Sequence, residues 1–188
     1  MLLGAALATG CASVDLNQMQ PTYATPIVAS RAELPLTVVY SPIEFPDDAT
    51  LTSSGGLSDG ELHGVRSLVT RHLKRALESM FAHVTVVTDP HAAPPNAAIC
   101  WVRFVSLGTT RSAGGAMVGQ LEWSLSMHGP NDPRIIYSWS ERAVGAREGS
   151  TFSQIIGAIE ASLRSLLADM QAKNVVATLS AAPAAAAR

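Results

Sequence analysis

Met117-Val118-Gly119-Gln120-Leu121-Glu122-Trp123-Ser124-Leu125-Ser126-Met127 is the stretch that decides the fold. Leu121, Trp123, Leu125 and Met127 fall on one side, together with Met117 and Gly119. Val118, Gln120, Glu122, Ser124 and Ser126 fall on the other. Side chains alternate across a strand, so a period of two sustained this long predicts a β-strand with one covered face and one wetter face.

The neighbouring segments read the same way. Ala97 to Leu107 is a strand candidate before it, and Arg134 to Val144 is one after it. In the latter, Ile135, Tyr137 and Trp139 alternate against Ser138, Ser140 and Arg142. Leu107 to Ala116, rich in glycine, reads as a long hairpin loop that is either slack or ordered by a partner. Gly129-Pro130-Asn131-Asp132-Pro133 reads as a turn. Three consecutive strands with such connections predict an antiparallel meander. Cys100, Val102, Phe104, Leu121, Trp123, Leu125, Tyr137 and Trp139 are assigned to its covered face. Trp101, Arg103, Gln120, Glu122, Ser138, Ser140 and Arg142 are assigned to the other.

Two segments carry helical spacing instead. Ser58-Asp59-Gly60-Glu61 fits a capping box, followed by Leu62, Val65, Leu68, Val69, Leu73, Ala76, Leu77 and Met80. Its other face holds His63, Arg66, Arg71, Lys74 and Arg75. Ser150 or Thr151 caps the second helix, with Thr151 and Gln154 as a second capping box. The apolar stripe there is Phe152, Ile155, Ile156, Ile159, Leu163, Leu166, Leu167 and Met170, wide enough to lie across a sheet. Leu34 to Tyr40 and His83 to Thr88 are short strands, and residues from Pro42 to Gly56 read as loop. The expected fold is α+β: a two-layer sandwich, mainly an antiparallel sheet with two helices packed on one face. The expected single domain spans residues 34–173. Residues 11–33 read as a flexible tether and 174–188 as an Ala/Pro-rich disordered tail.

Composition excludes several classes. Charged residues are 15% and hydrophobic residues 47%, which describes a packed chain and not a disordered one. A formal net charge of -2 provides no global field to recruit nucleic acid, and none is expected as a partner. No stretch after the N-terminus has the 18 or so apolar residues of a membrane span. The five histidines, His63, His72, His83, His91 and His128, lack metal-ligand spacing, so no metal or cofactor is expected. There is no G-x-S-x-G elbow, and Cys100 in its strand-like run reads as a small buried hydrophobe. No catalytic residue is assigned.

Two surfaces remain as binding candidates. Arg71, Lys74 and Arg75 give the first helix a basic face, which reads first as a solvated helix surface, the commoner case, and second as a site for an acidic partner. Trp101, Arg103, Glu122 and Arg142 group on the wetter sheet face. They suit a ligand and equally a cross-strand structural cluster.

The N-terminus supplies the location. Leu2 to Leu7 is a short apolar run, closed by Ala8-Thr9-Gly10 and then Cys11. These residues resemble the lipobox of bacterial lipoproteins, in which small residues let a peptidase approach the backbone before the cysteine. The resemblance implies that residues 1–10 are a lipoprotein signal peptide and that Cys11 becomes the acylated first residue, anchored in the bilayer by its fatty chains. No Lys or Arg precedes Arg31, so the basic opening of such a signal is expected upstream of an internal Met1. Ala12 and Ser13 after the cysteine resemble an outer-membrane address, with the inner membrane as the other possibility. In element order, the body resembles small periplasmic lipoproteins. Among these are LPS-assembly lipoproteins of the LptE type and auxiliary lipoproteins of ABC transport systems. The resemblance implies a non-catalytic accessory subunit on the periplasmic face of the outer membrane, binding an envelope protein or glycolipid. The alternatives are an envelope hydrolase without a recognisable motif and a purely structural lipoprotein.

Overall fold

The alternating segments form the long strands of one sheet. In the computed structural model, which describes residues 13–15, 30–45, 47–51, 60–111, 117–130, 132–145 and 151–182, β6 (Ala98–Arg111), β7 (Met117–His128) and β8 (Ile135–Gly145) build an antiparallel meander. Cys11, the signal segment and the capping serines Ser58 and Ser150 lie outside the described residues, as do the side chains of Thr151 and Phe152. β6 runs to Arg111, so the strand takes up part of the segment expected as a loop from Leu107.

Two shorter strands complete the sheet. β2 (Leu36–Tyr40) pairs in parallel with both β5 (Val84–Val87) and β6, giving the order β5-β2-β6-β7-β8. The protein is therefore α+β, with a mixed sheet whose longest ladders are antiparallel. The parallel pairs follow from connectivity. A helix lies between β2 and β5, and a strand reached through a helical crossover arrives in the same direction. Thr88 to Ala97, with a 3-10 turn at Pro90–Ala92, then carries the chain to the far side of β2.

The first helix begins later than its spacing suggests. α1 is Val65–Leu77, and Gly60–His63 is a strand, β4, in place of the expected first helical turn. β4 forms a small second sheet with β1 (Ser13–Asp15) and β3 (Ala49–Leu51), in the order β1-β4-β3. Leu62 is buried in the core, which is why it fitted the helical pattern, but it is buried from a strand. Gly64 joins the two elements with φ 79°, a conformation that glycine adopts without steric cost. It offers no side chain to the helix start. Asp47 takes that role from across the chain. Its carbonyl accepts from Val65 N at 2.8 Å, and its carboxylate accepts from Ser67 N at 2.9 Å and Ser67 Oγ at 3.0 Å. The Pro42 to Gly56 segment read as loop thus contains both β3 and the true helix cap.

The second helix makes the larger packing layer. α2 (Thr151–Ala172) buries Ile155, Ile156, Ile159, Leu163, Leu166, Leu167 and Met170, as the stripe predicts. It lies against β7 and β8. Contact is close enough to require glycine. A Cβ on Gly119 would fall inside the Gln154 carbonyl, and one on Gly145 would strike the backbone at Gly157 and Ala158. Trp123 and Trp139 meet edge to face at 5.0 Å under this helix, and Trp123 Nε1 donates to Ser162 Oγ. Cys100, Val102, Leu121, Trp123, Leu125, Tyr137 and Trp139 are buried as assigned, with Phe104 partly so and stacked on Phe45 at 4.7 Å.

Three expectations are corrected. Ile135 does not join the core. Pairing shifts between Met127 and His128, so Ile136 is the extra residue that turns inward and Ile135 is 61% exposed. Residues 174–188 are not wholly a disordered tail, because α3 (Val175–Ala181) buries Val175 and Leu179. Asn174, at φ 49°, ends α2 in a left-handed conformation and redirects the chain. Nor is 11–33 a tether throughout. β1 lies inside it, and Ala32 bonds both ways to the chain beside Phe81, through Met80 O and Ala82 N.

Two substitutions test this packing. Gly145→Ala should destabilise the fold by about 1–3 kcal/mol, because the added methyl must displace helix backbone. Asp47→Ala should cost about 1–2 kcal/mol through the lost cap. Urea titration followed by circular dichroism measures both. Changes below about 0.5 kcal/mol would mean that neither contact operates.

Candidate functional site

With the helices on one face, the opposite face of β6–β8 is left as a polar surface, and its residues fall into rows set by the register. Trp101, Ser126 and Ser138 stand side by side across the three strands. Arg103, Ser124 and Ser140 form the next row. Beyond the bulge at Val105, Glu122 and Arg142 form a third. Neighbours in a row are about 5 Å apart, and successive rows about 7 Å.

The first two rows floor a groove of about 460 Å³, with Glu44 from the loop after β2 at its rim. The side chains there are unspent. Trp101 is 42% exposed. Among the described residues, Arg103 has no ion pair, and no hydrogen bond engages the hydroxyls of Ser124, Ser126, Ser138 or Ser140. A second depression of about 530 Å³ lies on the other side of Trp101, lined by Pro94, Pro95, Ile99 and His128. The indole therefore borders two hollows.

The residues singled out from sequence separate into three groups. Trp101 and Arg103 are in the groove. Glu122 and Arg142 form a cross-strand ion pair, with Glu122 Oε2 accepting from Arg142 Nε at 2.8 Å and from Nη2 at 2.6 Å. This is a cross-strand pair of the kind that stabilises a sheet. Arg71, Lys74 and Arg75 are on α1, whose apolar side shares the core with Cys100 and Val102. The sheet thus stands between them and Trp101, and they do not contribute to the same surface. Lys74 pairs with Glu78 one helical turn on, at 3.6 Å. The sequence alone does not assemble the serine floor. It places Ser138 and Ser140 on this face, and Ser124 and Ser126 only on the polar half of an alternation. The register that aligns all four could not be read from one strand.

Several titratable groups of the covered side are tied into the packing. Burial pushes the Cys100 thiol up to about 12, so it stays protonated. Burial and the bond to Asp169, 2.8 Å away, push the Tyr137 hydroxyl well above its ordinary range. Lys173 and then Tyr137 hold the Asp169 carboxyl low. Burial, with Arg71 and Arg75 nearby, holds the His72 imidazole below its usual value. Asp47 and Asp48 are not a joint acid–base pair: Asp47 caps α1 and Asp48 meets His63 Nδ1 at 2.8 Å. Among the described residues, no group of three His, Cys, Asp or Glu side chains is placed to hold a metal ion. None of the described helices is long and apolar enough to cross a membrane.

No known family model matches the sequence, and no curated protein matches it. The backbone is similar to solved structures. One is protein XCC0632 from Xanthomonas campestris, of the DUF330 family, at TM-score 0.55 and 12% identity, covering 92% of this chain and 100% of that one. An uncharacterized protein gives TM-score 0.40 at 12% identity, covering 88% and 99%. A protein described as a candidate neuraminyllactose-binding hemagglutinin homolog from Helicobacter pylori gives 0.40 at 11%, covering 86% and 99%. The first of these is a likeness of fold.

The turn between β7 and β8, beside the second depression, depends on an acid. Asp132 accepts from Arg134 N, Nε and Nη2 at 2.8–3.1 Å, and these bonds lower its pKa to about 2. A depressed carboxyl stabilises the fold above its unfolded pKa, near 4, and the contribution is lost as pH falls through about 2. Urea midpoints of the wild type should therefore fall faster than those of Asp132→Asn between about pH 4 and 2. Parallel curves would show that the clamp contributes nothing.

Proposed function

We propose that this chain is a non-catalytic binding subunit, held by an acylated Cys11 on the periplasmic face of the outer membrane. It serves as an accessory in envelope assembly or transport. Its bilayer contact is the lipid anchor, and its working partner is an envelope protein or glycolipid. The observation that carries this reading is the open polar groove: an exposed Trp101, with an Arg103 and four serine hydroxyls that have no partner among the described residues, on one sheet face. Groups left without intramolecular partners at low cost are available to a ligand. A groove of this volume falls in the range of ordinary binding sites.

Two further features support binding over chemistry. Cys100 is buried and held as a thiol, the unreactive form. The groove's own groups are hydroxyls, an indole, a guanidinium and a rim carboxylate, a set suited to recognition. The lipid anchor rests on Leu7-Ala8-Thr9-Gly10-Cys11. Two or more acyl chains suffice for stable membrane attachment.

The test has two parts. Labelled palmitate should enter the protein in cells and be lost from Cys11→Ser, which should also leave the membrane fraction. A photo-crosslinker at Ser138 should capture a defined envelope component, and one at Arg75, on the far side of the sheet, should not. An unmodified Cys11 in cytosolic protein would overturn the location. Equal capture from both positions would overturn the groove as the binding face.

A further inference from the structure

The groove's chemistry is more selective than its size. We infer that it binds the sugar portion of an acidic glycan, with Trp101 as the stacking platform, the serine rows as hydroxyl partners and Arg103 as the donor to a carboxylate or phosphate. This rests on the reading of the chain as a binding subunit and names the ligand class.

The choice follows from what lines the surface. A protein partner favours faces rich in aromatic residues, Met and Arg, and serine is depleted at such interfaces. Here serine supplies four of the side chains in two adjacent rows. A nucleic acid needs several cations along its backbone, and Arg103 is the only cation lining the groove among the described residues. A saccharide fits both halves of the composition. A pyranose presents an apolar C–H face that lies flat on an indole, and its rim of hydroxyls both donates and accepts. Serine hydroxyls do the same in return, each with one donor and two lone pairs. Glu44 at the rim adds an acceptor for sugar hydroxyls.

Charge and shape refine the class. Arg103 is exposed and has no ion pair among the described residues, while its neighbour pair Glu122–Arg142 is closed on itself. A guanidinium left open one row from the Trp101 platform suits a planar carboxylate or a phosphate. Trp101 also borders the second depression, so a ring stacked on it has room for a further unit on either side. The ligand is therefore an oligosaccharide, and water-soluble fragments without lipid should suffice.

The test uses the protein without its lipid anchor in calorimetric titrations. The acidic probes are hyaluronan tetrasaccharide, tetragalacturonate and phosphopentamannose, and the neutral control is chitotetraose. At least one acidic probe should bind roughly tenfold or more tightly than the control, the scale of one charge-assisted contact. Arg103→Gln should erase that preference, and Trp101→Ala should abolish binding of every probe, with both variants keeping the wild-type melting profile. No acidic binding up to millimolar concentration would overturn the inference, as would equal affinity for chitotetraose or binding indifferent to both substitutions. If the saccharides fail while the Ser138 crosslinker still captures a defined envelope component, this inference falls and the binding-subunit reading stands. If both fail, both fall.

Discussion

Everything in this fold depends on the contact between α2 and the strands β7 and β8. Seven large apolar side chains of α2, from Ile155 to Met170, are buried there. At about 1.5–3 kcal/mol each, their gross burial is on the scale of a whole domain's net stability. The helix can come this close only because Gly119 and Gly145 present no Cβ to its backbone. Polar fasteners sit within the apolar contact. Trp123 reaches Ser162, and Tyr137 reaches Asp169, which Lys173 also grips at 2.9 Å. Each satisfies a group that would be costly to bury alone.

That contact divides the molecule into two sides with different duties. On the helix side, Trp123, Tyr137 and Asp169 are held by partners within the packing, and Cys100 is sealed among apolar neighbours. On the other side, the same strands present every second residue to water, and several of those side chains have no partner among the described residues. A meander with one face committed to a helix can vary its outer face without disturbing its core. The open face can therefore carry recognition while the covered face carries stability.

How much of this was legible in the sequence can be traced residue by residue. The alternation from Ala97 to Val144 placed the meander and sorted its two faces, because a period of two is a direct consequence of strand geometry. The stripe of α2 was equally direct. What failed were features set by distant partners. Asp47 caps a helix from upstream of β3, so the local Ser58–Glu61 signal misplaced the helix start. β1 and β4 pair through backbone groups, which leave little mark on side-chain pattern. The bulge that turns Ile136 inward shifts the register by one residue, and a one-residue shift exchanges the faces. Trp101 and Arg103 were legible as site candidates. Their separation from Arg71, Lys74 and Arg75 was not, because helix placement over the sheet is a tertiary fact.

The two faces of the sheet differ in kind: one is shut under α2, the other open at Trp101. The chain has three tryptophans, which report on both faces at once. Limited oxidation of the native protein with N-bromosuccinimide, resolved by peptide mass spectrometry, tests the claim directly. Trp101 should react first, while Trp123 and Trp139 stay protected until the protein is unfolded. Protection of Trp101 alongside the other two, or reaction of all three at similar rates, would contradict it.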